Sequence, residues 1–275
     1  MAKVAAKKKT ALVKAESKVP ANLRDKLAAY AGQGVSFAPE DNVVPLIVPL
    51  QTNSPQVNKR NRDKYIEGAE PGCLWLRNCA VMPLVDGETG FSFQLCHRSK
   101  AWVEWIPRDE GGGFVERHPL RPASARKTPH PKNPNRTYWT MPNGHELIET
   151  RYLYGIIWGG EYAFKNMPDF QMPFVISLSS TGHSVDRAWN TQQTQIYLAP
   201  GIVMPVFGSV WRITTEHRTN ASGEWFVIHP SSPQNASEEQ VDRGIAFAEA
   251  CARGDLTAET AEREDYEDTM EEERL

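Results

Sequence analysis

Cysteine is scarce: four residues in 275, at positions 73, 79, 96 and 251, are too few and too unevenly spaced for a disulfide framework. Reduced thiols are the simplest reading. Cys73, Cys79, Cys96 and His97 offer a six-residue step and then an adjacent Cys-His pair, which does not match the short-knuckle spacing of structural zinc. No metal and no cofactor is therefore expected. Long apolar runs are also missing. None approaches the roughly eighteen residues needed to cross a bilayer, and the lysine-rich start has no apolar segment behind it. A cytosolic, unexported protein without membrane contact is expected.

Catalytic signatures are absent as well. Gly111-Gly112-Gly113 lacks the Gly-Lys-Ser/Thr that would complete a phosphate loop, and it reads better as a flexible hairpin. The seven histidines never take the His-Glu-x-x-His spacing, and no Gly-x-Ser-x-Gly turn occurs. A two-metal nuclease needs clustered carboxylates, but here the acids crowd into the last residues, where nothing could hold a metal rigidly. The chain does not read as an enzyme.

What is present is charge separated along the chain. Residues 1–26 carry eight Lys/Arg against two acids, and residues 255–275 carry ten acids against two arginines. Like-charge blocks form poor cores and serve as solvated interaction arms. The expected organisation is a basic N-terminal arm (1–30), a β-rich nucleic-acid-binding core (31–236), one C-terminal helix (237–254) and a disordered acidic tail (255–275).

Between residues 41 and 230 the apolar residues come in strand-sized bursts such as GFSFQLC, YLYGIIW, PFVISLSS and EWFVIHP, rich in Val, Ile and aromatics. Several alternate with period two, and no twelve-residue helical pattern is visible there. Thr219-Asn220-Ala221-Ser222-Gly223 reads as a hairpin turn. The helical signal returns at SEEQVDRGIAFAEACARGD, with a serine cap, early acids and a glycine stop. The fold class is mainly β with minor α, closing as an OB-like β-barrel with long loops; a sandwich remains the alternative.

The segment from Arg117 to Trp139 holds six Lys/Arg, two histidines, five prolines and no acid. It reads as an extended basic loop whose Arg117, Arg121, Arg126, Lys127, Lys132 and Arg136 are available to phosphates. Tyr138 and Trp139 at its end could stack on unpaired bases. Arg98, Lys100, Trp102 and Glu104 share one strand face by alternation, which places a ring beside two cations. Arg187 and Trp189 form a weaker third candidate. Trp75, Trp105 and Trp211 read as core.

The segments EDNVVPLIVPLQTNSPQV, YIEGAEPG, WVEWIPRDEGGGFVERH, PFVISLSSTGHSVDRAW and WRITTEHRTNASGEWFVI resemble a group of bacteriophage proteins, some described as single-stranded DNA-binding. The likeness covers most of residues 40–230. It implies a protein of the host bacterial cytoplasm that coats single-stranded DNA in replication or recombination. By the same likeness the acidic tail masks the groove or recruits phage replication or recombination proteins. The ending Glu273-Arg274-Leu275 departs from the aromatic or acidic-apolar tips of such tails, which weakens recruitment relative to masking. The rival reading is a virion structural or assembly protein whose charged ends are subunit contacts, and a homo-oligomer fits either. A DNA-mimicking inhibitor ranks below both, because it leaves the basic segment without a role.

Overall fold

Alternation along the apolar bursts does produce strands, and most of them belong to one sheet. The computed structural model describes residues 43–107, 110–130, 133–220, 223–256 and 258. The expected basic arm, Lys132, Thr257 and the tail beyond Ala258 lie outside the described residues, as do the side chains of residues 130 and 133–136, that of Arg136 included.

In chain order the elements are β1 (Leu46–Pro49), β2 (Leu74–Leu76), β3 (Leu84–Val85), β4 (Phe91–Ile106), β5 (Gly113–His118), β6 (Arg126–His130), β7 (Asn133–Thr140), β8 (Glu146–Trp158) and β9 (Gln171–Ser179). Then come α1 (Gly182–Gln193), β10 (Tyr197–Ala199), β11 (Ile202–Val203), β12 (Ser209–Asn220), β13 (Gly223–Asn235) and α2 (Glu238–Arg253). Eleven strands form a curled half-barrel sheet, and β10–β11 is a separate hairpin. The mainly β class and the C-terminal helix are as expected. No helix among the described residues is long and apolar enough to cross a membrane.

Two long strands, β4 and β8, pair from Ser92↔Trp158 to Trp105↔Glu146 and act as a spine. Around their inner halves the order is β13-β12-β4-β8-β9-β1-β2-β3. Around their outer halves β5 flanks β4, and β7 then β6 flank β8. The spine thus joins an inner apolar sheet to an outer polar one.

A register shift fixes how the two halves relate. Leu95 pairs with Gly155 and His97 with Tyr154, so β4 carries one extra residue at Cys96. Such a bulge reverses the parity of the side chains that follow it. Phe91, Phe93 and Leu95 before the bulge therefore share a face with Arg98, Lys100, Trp102 and Glu104 after it. On that first face Phe91, Phe93, Leu95, Leu153, Ile157, Trp211 and Ile213 bury against Trp189 of α1. On the second face Cys96, Ala101, Tyr152, Tyr154 and Ile156 pack against Phe247 of α2.

The α1 helix was not legible as a helix, because its buried side is narrow. Val185, Trp189 and Gln193 point inward at four-residue steps, and the other positions are mainly polar. By contrast α2 forms where its signals lie. The Ser237 hydroxyl accepts from the Gln240 amide, the Gln240 side chain accepts from the Ser237 amide, and Gly254 closes the helix with φ 82°. Beyond it Leu256 and Ala258 still pack against the second core layer, so the chain stays attached past the expected start of the tail at 255.

Buried Gln94 ties these layers together. Its amide nitrogen donates to the Phe207 carbonyl at 2.6 Å and the Gln240 carbonyl at 2.8 Å, while its oxygen accepts from Trp158 Nε1 at 3.0 Å. Every polar atom of that side chain is paired, as burial demands. All four cysteines are free thiols, and burial raises the Cys96 thiol far above its ordinary range and the Cys251 thiol to about 12.

Gly155 faces the bulge, and a Cβ there would collide with the Gln94 carbonyl and the Phe93 ring. Gly155→Ala is expected to cost about 2–3 kcal/mol by overpacking, read as a lower urea midpoint at unchanged slope.

Candidate nucleic-acid interface

Much of the segment 117–139 is strand rather than loop, with 119–125 as the connection between β5 and β6. Arg126 to Thr140 fold into the hairpin β6–β7, whose register includes Lys127↔Trp139 and Thr128↔Tyr138, and β7 joins β8 through Trp139↔Leu147. Pro119 and Pro122 lie in the connection before β6, Pro134 lies in β7 away from the Trp139–Thr140 part paired with β8, and Pro131 lies outside the described residues. Pro129 sits at a register shift in β6.

Strand alternation sorts the predicted residues onto two faces. On the first face one row runs Lys127, Trp139, Leu147, Glu104, Glu116 across β6, β7, β8, β4 and β5. The next row is Glu149, Trp102, His118, and beyond it Arg151 pairs with Lys100. Tyr138, Arg126 and Arg117 lie on the second face. Arg117 stacks over Tyr152 with its guanidinium carbon 4.5 Å from the ring centre. These three residues therefore face away from Trp102 and Trp139.

The first face does gather rings and cations. Trp102 and Trp139 meet edge to face, centroids 6.0 Å apart at 81°. Both are half-buried. The Arg121 guanidinium lies 3.9 Å from the Trp139 ring centre and 5.8 Å from that of Trp102, and Lys127 Nζ lies 5.3 Å from Trp139. Lys100, Arg121 and Lys127 are exposed. A cation over a ring is held by the ring quadrupole, by about 0.5–1 kcal/mol when exposed, so a stacking base or a phosphate can displace it.

Two predicted residues do not serve. Trp189 is fully buried between Phe93 and Trp211, with centroids 6.3 Å and 5.7 Å away, and cannot reach a base. Arg98 is committed to Asp186 of α1 and lies over the Trp189 ring at 5.7 Å. Arg187, on the same helix, is exposed.

The Asp186 contacts were invisible in the sequence. Its carboxylate accepts from Arg98 and from Arg151 Nη1 at 2.7 Å, and Arg151 also reaches Glu149 at 3.1 Å. Arg98 Nε and Nη2 are buried with no hydrogen-bond partner among the described residues. Burial depresses the Arg98 guanidinium, and Asp186 only partly offsets this.

Acids also stand beside the cations, contrary to the expectation of an uncompensated basic surface. Glu104 is buried, and its carboxylate meets His118 Nε2 at 2.9 Å and His145 Nδ1 at 2.6 Å, with Asn143 Nδ2 at 3.3 Å. Burial pushes the Glu104 carboxyl up, but hydrogen bonds from His118, His145 and Asn143 outweigh it and leave it below the ordinary carboxylate value. The spacing of AWVEW and GFVERH held the alternation, but not the pairing that brings these groups together.

Asp186→Ala would leave Arg98 buried beside Arg151 without a counter-charge. A loss of about 3 kcal/mol in urea unfolding is expected, larger than for Asp186→Asn, which keeps hydrogen-bond acceptance.

Among known proteins, a profile of the family described as Pam3 phage gp34-like protein matches residues 8–257. No curated protein and no solved structure matches the chain.

Proposed function

Because the chain belongs to the Pam3 phage gp34-like protein family, a phage lineage, we propose that it is a non-catalytic phage protein whose outer sheet binds single-stranded DNA. The observation that carries this reading is the half-buried Trp102–Trp139 pair bracketed by Arg121 and Lys127. Both rings are half-buried, with exposed cations lying over or beside them. Bases stack on the two rings, Arg121 swings from the Trp139 face to a phosphate, and Lys100 and Lys127 neutralise the neighbouring phosphates. The curl of the sheet is compatible with the OB-like barrel expected for such binding.

Titration with oligo-dT tests this. Trp102→Ala and Trp139→Ala should each cost about 1–3 kcal/mol of affinity. Three phosphate contacts imply a slope of roughly −2 for log affinity against log salt. Tyr138→Ala, on the opposite face, should leave affinity unchanged. Equal losses from Tyr138→Ala and Trp139→Ala would refute the assignment to one face, and no binding to either single or double strand would refute the reading itself.

One observation favours the assembly reading as a second function. The β10–β11 hairpin exposes Tyr197, Leu198, Ile202 and Val203, at 44–64% accessibility. Four large apolar side chains on one small hairpin suit a protein contact. Under that reading Leu198→Ser with Ile202→Ser lowers the sedimentation coefficient by breaking self-association; an unchanged, monomeric value for both proteins would discard it.

A further inference from the structure

We propose that Glu104, Glu116 and His118 form a binding site for a divalent transition metal, Zn²⁺ in the first instance, with His145 and Asn143 orienting Glu104 from behind. The inference does not depend on DNA binding and can fail or hold separately.

The argument begins with an unfavourable pairing. Glu104 and Glu116 are directly opposed in the β4–β5 register, and like charges placed so are destabilising in a sheet. The conflict is sharper than on an open surface, because the Glu104 side chain is only 6% exposed. A buried carboxylate beside a second carboxylate calls for positive charge. The nearest nitrogen groups are imidazoles, His118 at 17% and His145 at 22% exposure, rather than arginine or lysine.

The two oxygens of Glu104 are used differently. Oε1 receives His145 at 2.6 Å and Asn143 Nδ2 at 3.3 Å, which fixes the plane of the carboxylate. Oε2 turns to His118 Nε2 at 2.9 Å. One oxygen or nitrogen from each of Glu104, Glu116 and His118 lies within 4.8 Å of the others. Ligands on a tetrahedral metal at about 2.0–2.1 Å sit roughly 3.4 Å apart, so the exposed Glu116 side chain need only turn inward to close the set. No buried group has to move far.

The donor set selects the class of ion. Two carboxylate oxygens and an imidazole suit Zn²⁺ better than Mg²⁺ or Ca²⁺, which prefer oxygen alone. The arrangement behind Glu104 is the outer shell that such sites require, since a ligating carboxylate must itself be hydrogen-bonded to hold its orientation. Three protein ligands leave the fourth position for water. The ion would neutralise both carboxylates on the face that also carries Trp102, whose register partner is His118.

The test uses the full-length protein, stripped with a chelator and titrated with Zn²⁺ against a chromophoric competitor, with Co²⁺ absorption reporting coordination. One equivalent is expected. Asn143→Ala should weaken uptake about tenfold, as outer-shell changes do, and Glu116→Gln by more. Glu116 is exposed on an edge strand, so its variant stays folded even if His118→Ala does not. His217→Ala, altering an exposed histidine that faces Glu224 on the β12–β13 hairpin, should bind zinc like the parent. Absence of stoichiometric uptake would overturn the proposal. Uptake indifferent to both Glu116→Gln and His118→Ala would overturn it equally.

Discussion

A single added residue in a sixteen-residue strand governs the geometry of everything else. Without the bulge at Cys96, the alternation of β4 would carry Phe91, Phe93 and Leu95 to one face and send Arg98, Lys100, Trp102 and Glu104 to the other. The polar run would then meet the α2 side, where Tyr152, Tyr154 and Phe247 bury, and the chain could not satisfy both halves. With it, Cys96 and His97 both turn toward the second layer, and the apolar and polar stretches share a face. Gly155 makes room for this on the partner strand, since any side chain there would occupy the space of Phe93.

From that constraint follows the position of α1. The helix lies over the apolar inner part of the first face with Trp189, and its Asp186 meets the first cations of the outer part. Asp186 stands at the border between the two regimes. On its inner side the energetics are those of packed rings, and on its outer side those of opposed charges and partly solvated aromatics. The resulting outer sheet is neither a uniform basic groove nor an ordinary solvated surface: cations collect around Trp139, and acids collect with imidazoles between β4 and β5.

The sequence disclosed those features that are local. Period-two bursts reported strands, and the Ser237 cap with the Gly254 stop bounded α2, because both signals rest on neighbouring residues. It also placed Trp102 with Lys100 on one face, since alternation within a strand needs no partner. What stayed hidden was pairing. The predicted basic loop became a hairpin because Lys127 meets Trp139, and its residues were then dealt to two faces. Trp189 looked like its neighbour Arg187 in sequence, yet a narrow helical stripe took it into the core. The Glu104–His118 contact required knowing that AWVEW and GFVERH are antiparallel with a register shift.

The sheet also carries one parallel pairing among the described strands, Leu46↔Val175 and Ile47↔Ile176, which joins segments about 130 residues apart. The β1 strand holds β2 and β3 onto the sheet, so this edge has no partner until β9 exists. On a ribosome adding about 5–20 residues per second, β1 waits roughly 6–26 s for its neighbour. During that interval Leu46, Ile47, Leu74 and Leu76, all buried in the finished protein, lack the rest of the sheet that β9 connects them to. The first strand to be made is therefore held waiting for a neighbour made about 130 residues later, which opens a period in which the young chain can mispair.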